Sequence, residues 1–176
     1  MKPKTKVVLS LIFSIIVVLI VILAMFLVYA LSNPNYEKSK IDKPLEEEIT
    51  EQHISYILNE LGAYKLKSYL GNTPKIEVVV DEEKFNSEIT NGVIKTKRGE
   101  IENEGITITT AKDEVIESVK SLDTKNYIKQ SIASGKTSIE LKASYSILFA
   151  KGYLTLYKEI TGKSLTGSVI KIFSEG

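Results

Sequence analysis

The sequence contains no cysteine. Disulfide stapling, thiol chemistry, cysteine-ligated metal sites and a lipid-modified cysteine are therefore excluded, and the redox compartment is left open. Histidine is almost as scarce, since His53 is the single one. It sits among Glu51, Gln52 and Ser55 on an expected helix, so a solvent-facing ring is expected rather than a catalytic base or a metal ligand. A surplus of one charge is also missing, with 23 Lys+Arg against 22 Asp+Glu. Setting aside Lys2, Lys4 and Lys6 leaves 20 against 22, a net of about −2 for everything that follows. Nucleic acid is excluded as a partner, because binding phosphates requires a concentrated basic patch.

Motifs that would define a reaction are lacking as well. Gly135-Lys136-Thr137 resembles the end of a phosphate-binding loop, but Gln130 replaces the earlier glycine and the residues that follow read as strand, where such a loop must open a helix. Asp81-Glu82-Glu83 is a single carboxylate run beside a strand end and reads as a solvated turn rather than a calcium loop. No catalytic residue, metal or cofactor is expected.

What the chain does have is a long uncharged run. Val7 to Leu31 is apolar except for Ser10, Ser14 and the tyrosine near its end. It exceeds the roughly 20 helical residues that span a hydrocarbon core. A secretory signal peptide is the rival reading, with a basic start and Val28-Tyr29-Ala30 as a cleavage site, but the run is far longer than the roughly 7 to 15 residues of such a region. A single-pass anchor in the cell membrane is expected. The compact, unopposed cluster Lys2, Lys4, Lys6 assigns the N-terminus to the cytoplasm, which places the C-terminal domain on the extracytoplasmic side. The expected division is a stub and anchor over 1–31, a polar tether over 32–43, and one α+β domain over 44–176.

Within that domain a helix is expected from Asp42-Lys43-Pro44, with Glu46 to Glu48 in its first turn and Ile54, Ile57, Leu58 and Leu61 on one face. Gly62 ends it, and a further turn or two follows before Gly71 to Pro74. Strands are expected at Lys75 to Val80, after the Asn91-Gly92 hairpin signal, and at Gly105 to Thr109, where apolar and hydroxyl residues alternate. That alternation implies a mainly antiparallel sheet covered on one face by helices. Thr110 is expected to cap a helix with Val115, Ile116, Val119 and Leu122 inward, and Asp123 or Thr124 to cap another with Tyr127, Ile128 and Ile132 inward. Thr137 to Lys142 reads as a strand, and the tail residues Val169, Ile170, Ile172 and Phe173 as a further edge strand.

Ala143 to Thr161 reads as one closing helix. Its polar residues cluster within about a third of the circle, so its apolar face is much wider than the stripe of about 100° that a sheet requires. The surplus implies a second surface, a membrane or a bound apolar ligand; the plainer alternative is a deeply buried helix with Ser146 bonded back to its own backbone. The candidate ligand-binding residues are Tyr145, Phe149, Tyr153 and Leu156 as walls and Ser146 as a polar contact.

The stretch from about Ile76 to Ile160 resembles the sterol-carrier-protein-type lipid-binding family. The resemblance rests on GITITTAKDEVIESV, on YIKQSIASG, and on GKTSIEL leading into the helix that contains KGYLTLYKEI. It implies that the closing helix and the sheet enclose an apolar tunnel for fatty-acyl or sterol-like molecules, without catalytic residues. Sterol itself is not implied, because Lys142-Ala143-Ser144 stands where the family often has a Gly-Asp or Gly-Asn pair. Two functions follow: membrane-anchored, non-catalytic binding of an apolar ligand such as a lipid, acyl or isoprenoid chain, or a membrane-tethered protein-protein interaction module. They differ in one observable, since a carrier needs an internal apolar cavity and a docking module a packed core beneath an apolar surface patch.

Overall fold

The computed structural model describes residues 12–24, 36–45 and 48–163, and the chain divides into two compact units, Met1–Asn35 and Tyr36–Gly176. In the first, residues 12–24 are helical and exposed along their whole length. At 1.5 Å per residue they extend about 20 Å. Among the described residues no helix is long and apolar enough to cross a membrane. The remainder of the expected span over 7–31, the alternative cleavage site and the expected tail strand all lie outside the described residues.

The second unit starts within the stretch read as a tether. Residues 36–45 have no regular secondary structure, yet they are fastened to the domain. Lys38 pairs with Glu60 at 2.6 Å, the Asn59 amide donates to the Ser39 carbonyl at 2.7 Å, and Lys43 Nζ donates to the Ser121 carbonyl at 3.0 Å. Helix α1 (Glu51–Leu61) begins well after Pro44. Thr50 is extended at φ −121° and takes the N-cap, with His53 closing a capping box: Thr50 N–H donates to His53 Nδ1 at 3.3 Å, and Thr50 Oγ1 lies 2.9 Å from the same nitrogen. This role corrects the solvent-facing expectation, because the cap turns the imidazole back onto the chain and His53 is buried.

After α1 a 3₁₀ turn, Ala63–Lys65, leads to a tight hairpin in which Tyr69 and Asn72 exchange backbone hydrogen bonds at 3.1 and 2.9 Å. Strands β1 (Lys75–Val80), β2 (Glu83–Thr90) and β3 (Val93–Arg98) then form an antiparallel meander, and β4 (Ile106–Thr110) returns to lie parallel to β1. With β5 (Ser138–Leu141) antiparallel to β4, the order is β3-β2-β1-β4-β5. Three of the four pairings are antiparallel, as the alternation implied, but that of β1 with β4 is parallel. The strand-by-strand alternation of burial places Ile76, Val78, Phe85, Ile89, Ile106 and Ile108 on the covered face. The other face carries Lys84, Asn86 and Glu88. There the Gly99-to-Gly105 connection is tied down by the Asn86 amide donating to the Gly99 carbonyl at 3.1 Å.

Helices α2 (Lys112–Lys120) and α3 (Thr124–Ala133) join β4 to β5. The Asp123 carboxylate caps α3 by accepting from Asn126 N–H at 2.9 Å. The N-cap of α2 is Ala111 rather than Thr110, because Thr110 remains in β4 and its hydroxyl is spent on Thr137 at 2.8 Å. Leu122, expected inward, lies past the end of α2 and is fully exposed.

The closing helix is two helices. Gly152, left-handed at φ 87°, ends α4 (Tyr145–Lys151) and starts α5 (Tyr153–Thr161). This break accounts for the wide apolar face: two helices with different buried sides, read as one cylinder, sum to a broader stripe than either possesses. Helix α4 buries Leu148 and Lys151, while α5 buries Tyr153, Leu156 and Ile160.

Candidate functional site

Between α1, α2, α3 and the covered face of the sheet the apolar space amounts to ≈20 Å³. That is room for about one water and not for an acyl chain. The larger space is an open cleft of ≈720 Å³ beside α4, bounded on the other sides by the Tyr69-to-Thr73 turn and the segments around Glu104 and Lys142.

Local sequence builds each wall. On α4, Ile147 and Lys151 are four residues apart and share the face turned to the cleft. Across from them, Leu70 and Gly71 occupy the centre of the hairpin at φ 49° and 77°, the left-handed pair that a two-residue turn demands. Leucine rarely adopts that conformation, and its side chain is also 82% exposed. The turn therefore holds an apolar side chain out into solvent in a strained backbone, a combination found where a chain meets a ligand or another surface.

The floor carries charge. Lys151 is only 7% exposed, and its ammonium donates to the Thr73 carbonyl at 3.0 Å. Burial, and then the positive charge of Lys75, pull the Lys151 ammonium below its ordinary pKa. Lys75 Nζ donates to the Glu102 carbonyl at 3.2 Å, and Lys142 pairs with Glu140 at 2.6 Å. Beneath Lys75, Tyr153 Oη accepts from Lys75 N–H at 2.6 Å and donates to Lys75 C=O at 2.8 Å, stapling α5 to the start of β1. Burial pushes this phenol's pKa well up. The ring fits only because residue 105 has no side chain: a Cβ there would lie 2.2 Å from it.

None of the five residues singled out from the sequence lines the cleft. Tyr145 and Phe149 stack on each other with centroids 6.5 Å apart, and Phe149 is 70% exposed. Ser146 is exposed, with its hydroxyl 3.2 Å from that of Ser144. Tyr153 and Leu156 are in the core. Ile147, Lys151 and the Leu70-Gly71 turn were missed. The legible signal was Leu-Gly between two short runs, with a lysine four residues after an isoleucine.

A second polar cluster joins β4, β5, α2 and α3. Thr137 Oγ1 lies 2.8 Å from Thr110 Oγ1 and 2.7 Å from Ser131 Oγ, while Lys136 donates to Glu114 at 2.9 Å. The hydrogen bond from Lys136 holds the Glu114 carboxyl below its usual range; burial opposes this and Ser131 adds to it. Gly135-Lys136-Thr137 is thus spent on structure. Among the described residues no three His, Cys, Asp or Glu side chains come together as a metal site.

No protein-family model and no curated protein matches the chain. Solved structures similar to it include the palmitated SCP2L2 of Aedes aegypti, at TM-score 0.36 and 14% identity over 60% of this chain and 94% of that one. A second is the ubiquinone synthesis protein UbiJ-SCP2, at TM-score 0.35 and 10% identity over 58% and 88%. A third is the inverting sec-alkylsulfatase Pisa1 of Pseudomonas sp., at TM-score 0.34 and 12% identity over 48% of this chain but only 12% of the sulfatase. Two of the three are SCP2 domains.

Proposed function

We propose that this protein is a membrane-anchored, non-catalytic binding protein that takes the apolar part of its ligand in the cleft beside α4. The single observation that carries the reading is the ≈720 Å³ opening whose rim presents Leu70 and Ile147 to solvent. The run from Val7 to Leu31 supplies the anchor, with the N-terminus cytoplasmic and the domain outside. A tether beside a bilayer raises the effective concentration of lipid at the cleft. The ligand enters sideways into an open groove, because the space under α1 is closed.

Mass spectrometry of lipids retained by the full chain, purified in a neutral detergent, tests this. Stoichiometric retention of an amphiphile by the wild type, reduced by Ile147→Asp, is expected. A wild type that retains nothing and binds no alkyl probe overturns the reading. Docking of a partner protein is the second reading, favoured by the exposed Tyr145–Phe149 stack above a packed core. Loss of a co-purifying protein in Phe149→Ser, without any change in lipid retention, would select it.

A further inference from the structure

The cleft is apolar on one side and cationic on the other, and the cationic side is incompletely partnered. Lys151 and Lys75 each donate to a backbone carbonyl, of Thr73 and of Glu102, and neither has a carboxylate within ion-pair distance among the described residues. A buried ammonium without a counter-charge is costly, and each ammonium has three donors of which one is used here. Lys142 differs, being committed to Glu140. Glu88 and Glu104 also border the cleft, so it is not a general basic field; the positive charge is local to Lys151 and Lys75.

Resting on the binding reading above, we propose that the ligand of this cleft is an alkyl phosphate-type amphiphile, its phosphate oxygens held by Lys151 and Lys75 and its chain laid against Ile147 and Leu70. Two ammonium groups from separate elements match a phosphate monoester, whose charge at neutral pH is about −1.5 to −2. The lowered pKa of Lys151 fits this, since a phosphate beside it would restore the charged form that burial and Lys75 disfavour. The phosphate can belong to a membrane lipid or to a soluble ester, and titration with vesicles containing phosphatidic acid beside hexyl phosphate separates them: a lipid source binds the vesicles with the same dependence on Lys151 and Lys75, a soluble ester does not.

Isothermal titration of the full chain in neutral detergent micelles with hexyl phosphate, hexanoate, hexanol and inorganic phosphate tests the assignment. Hexyl phosphate is expected to bind about tenfold or more tightly than each of the others, and Lys151→Met and Lys75→Gln to lose about tenfold each. Lys75→Gln keeps the test valid should Lys151→Met unfold the turn, because Lys75 is only partly buried. Hexanoate binding as well as hexyl phosphate overturns the phosphate assignment. Hexanol matching hexyl phosphate, with neither lysine mattering, overturns the headgroup inference and leaves the apolar reading standing. Inorganic phosphate binding as tightly as hexyl phosphate, with the same dependence on both lysines, keeps the phosphate site and removes the apolar reading. Binding of none of the four overturns both.

Discussion

Under α1 the sheet is closed to ≈20 Å³, whereas beside α4 the fold leaves ≈720 Å³ open. Length and capping explain the difference. Helix α1 has eleven residues, a capping box and four apolar residues on one stripe, enough to seal the layer beneath it. Helix α4 has seven residues, is stopped by Gly152, and sinks only Leu148 and Lys151. A helix of two turns with a lysine in its buried side closes poorly against its neighbours, and the cleft opens along its Ala143, Ile147 and Lys151 side. Stability is concentrated under α1 and exposure beside α4.

The sharpest way to break this contrast is a pair of truncations. Leu58→Ala under α1 should cost about 2 to 5 kcal/mol in urea unfolding, whereas Ile147→Ala at the cleft should cost under about 1 kcal/mol. Leu156→Ala should behave like Leu58→Ala, since Leu156 is buried. Equal costs at Leu58 and Ile147 would mean that the cleft is part of the core. Gly105→Ala should cost about 1 to 3 kcal/mol or more, because its methyl overlaps the Tyr153 ring.

Tyr153→Phe should cost about 1 to 3 kcal/mol by leaving the Lys75 N–H without its acceptor, while the Lys75 carbonyl keeps the bond from Gly105 N–H at 2.9 Å. The acid limb of stability sharpens the contrast further. The Glu114 carboxyl is held below its unfolded value of about 4.3, so its contribution is present above that pH and is lost as pH falls through the folded value. Wild type should therefore lose more stability than Glu114→Gln as pH falls below about 4.3, the two unfolding curves drawing together as the carboxyl protonates. Parallel curves would show that Glu114 contributes nothing through its charge. Smallest of all, Phe149→Ser should change stability by no more than about 0.5 kcal/mol, as expected for a side chain that is mostly in water.

The helices and every strand but β2 were legible because their signals are local, β2 being marked only by the turn that follows it. Lys75 to Val80, Asn91-Gly92, the period-two run at Ile106 to Thr109 and the Asp123 cap each act within a few residues. The parallel β1–β4 pairing was not legible, since it is set by how the Gly99-to-Gly105 connection crosses the sheet. His53 was misread because its surroundings in sequence are polar, while its burial comes from a cap formed with Thr50. The break in the closing helix was written in Gly152, but a single glycine inside a long apolar pattern does not by itself distinguish a tolerated residue from a left-handed stop. That ambiguity displaced the candidate site from Ile147 and Lys151 to their neighbours.

The fastening of residues 36–45 has a mechanical consequence. Tyr36 packs so closely on the β2–β3 turn that a Cβ at Gly92 would lie 2.7 Å from its own, and the Tyr36 hydroxyl reaches Asn91 at 3.4 Å. A tensile load entering the chain at residue 36 is thus borne first by the hairpin, next by the Lys38–Glu60 and Ser39–Asn59 links, and only afterwards by the N-terminus of α1. Traction thus reaches the helix that seals the covered layer first through the side chains of Asn59 and Glu60 in its last turn, and pulls on its N-terminal cap only after those fasteners give way.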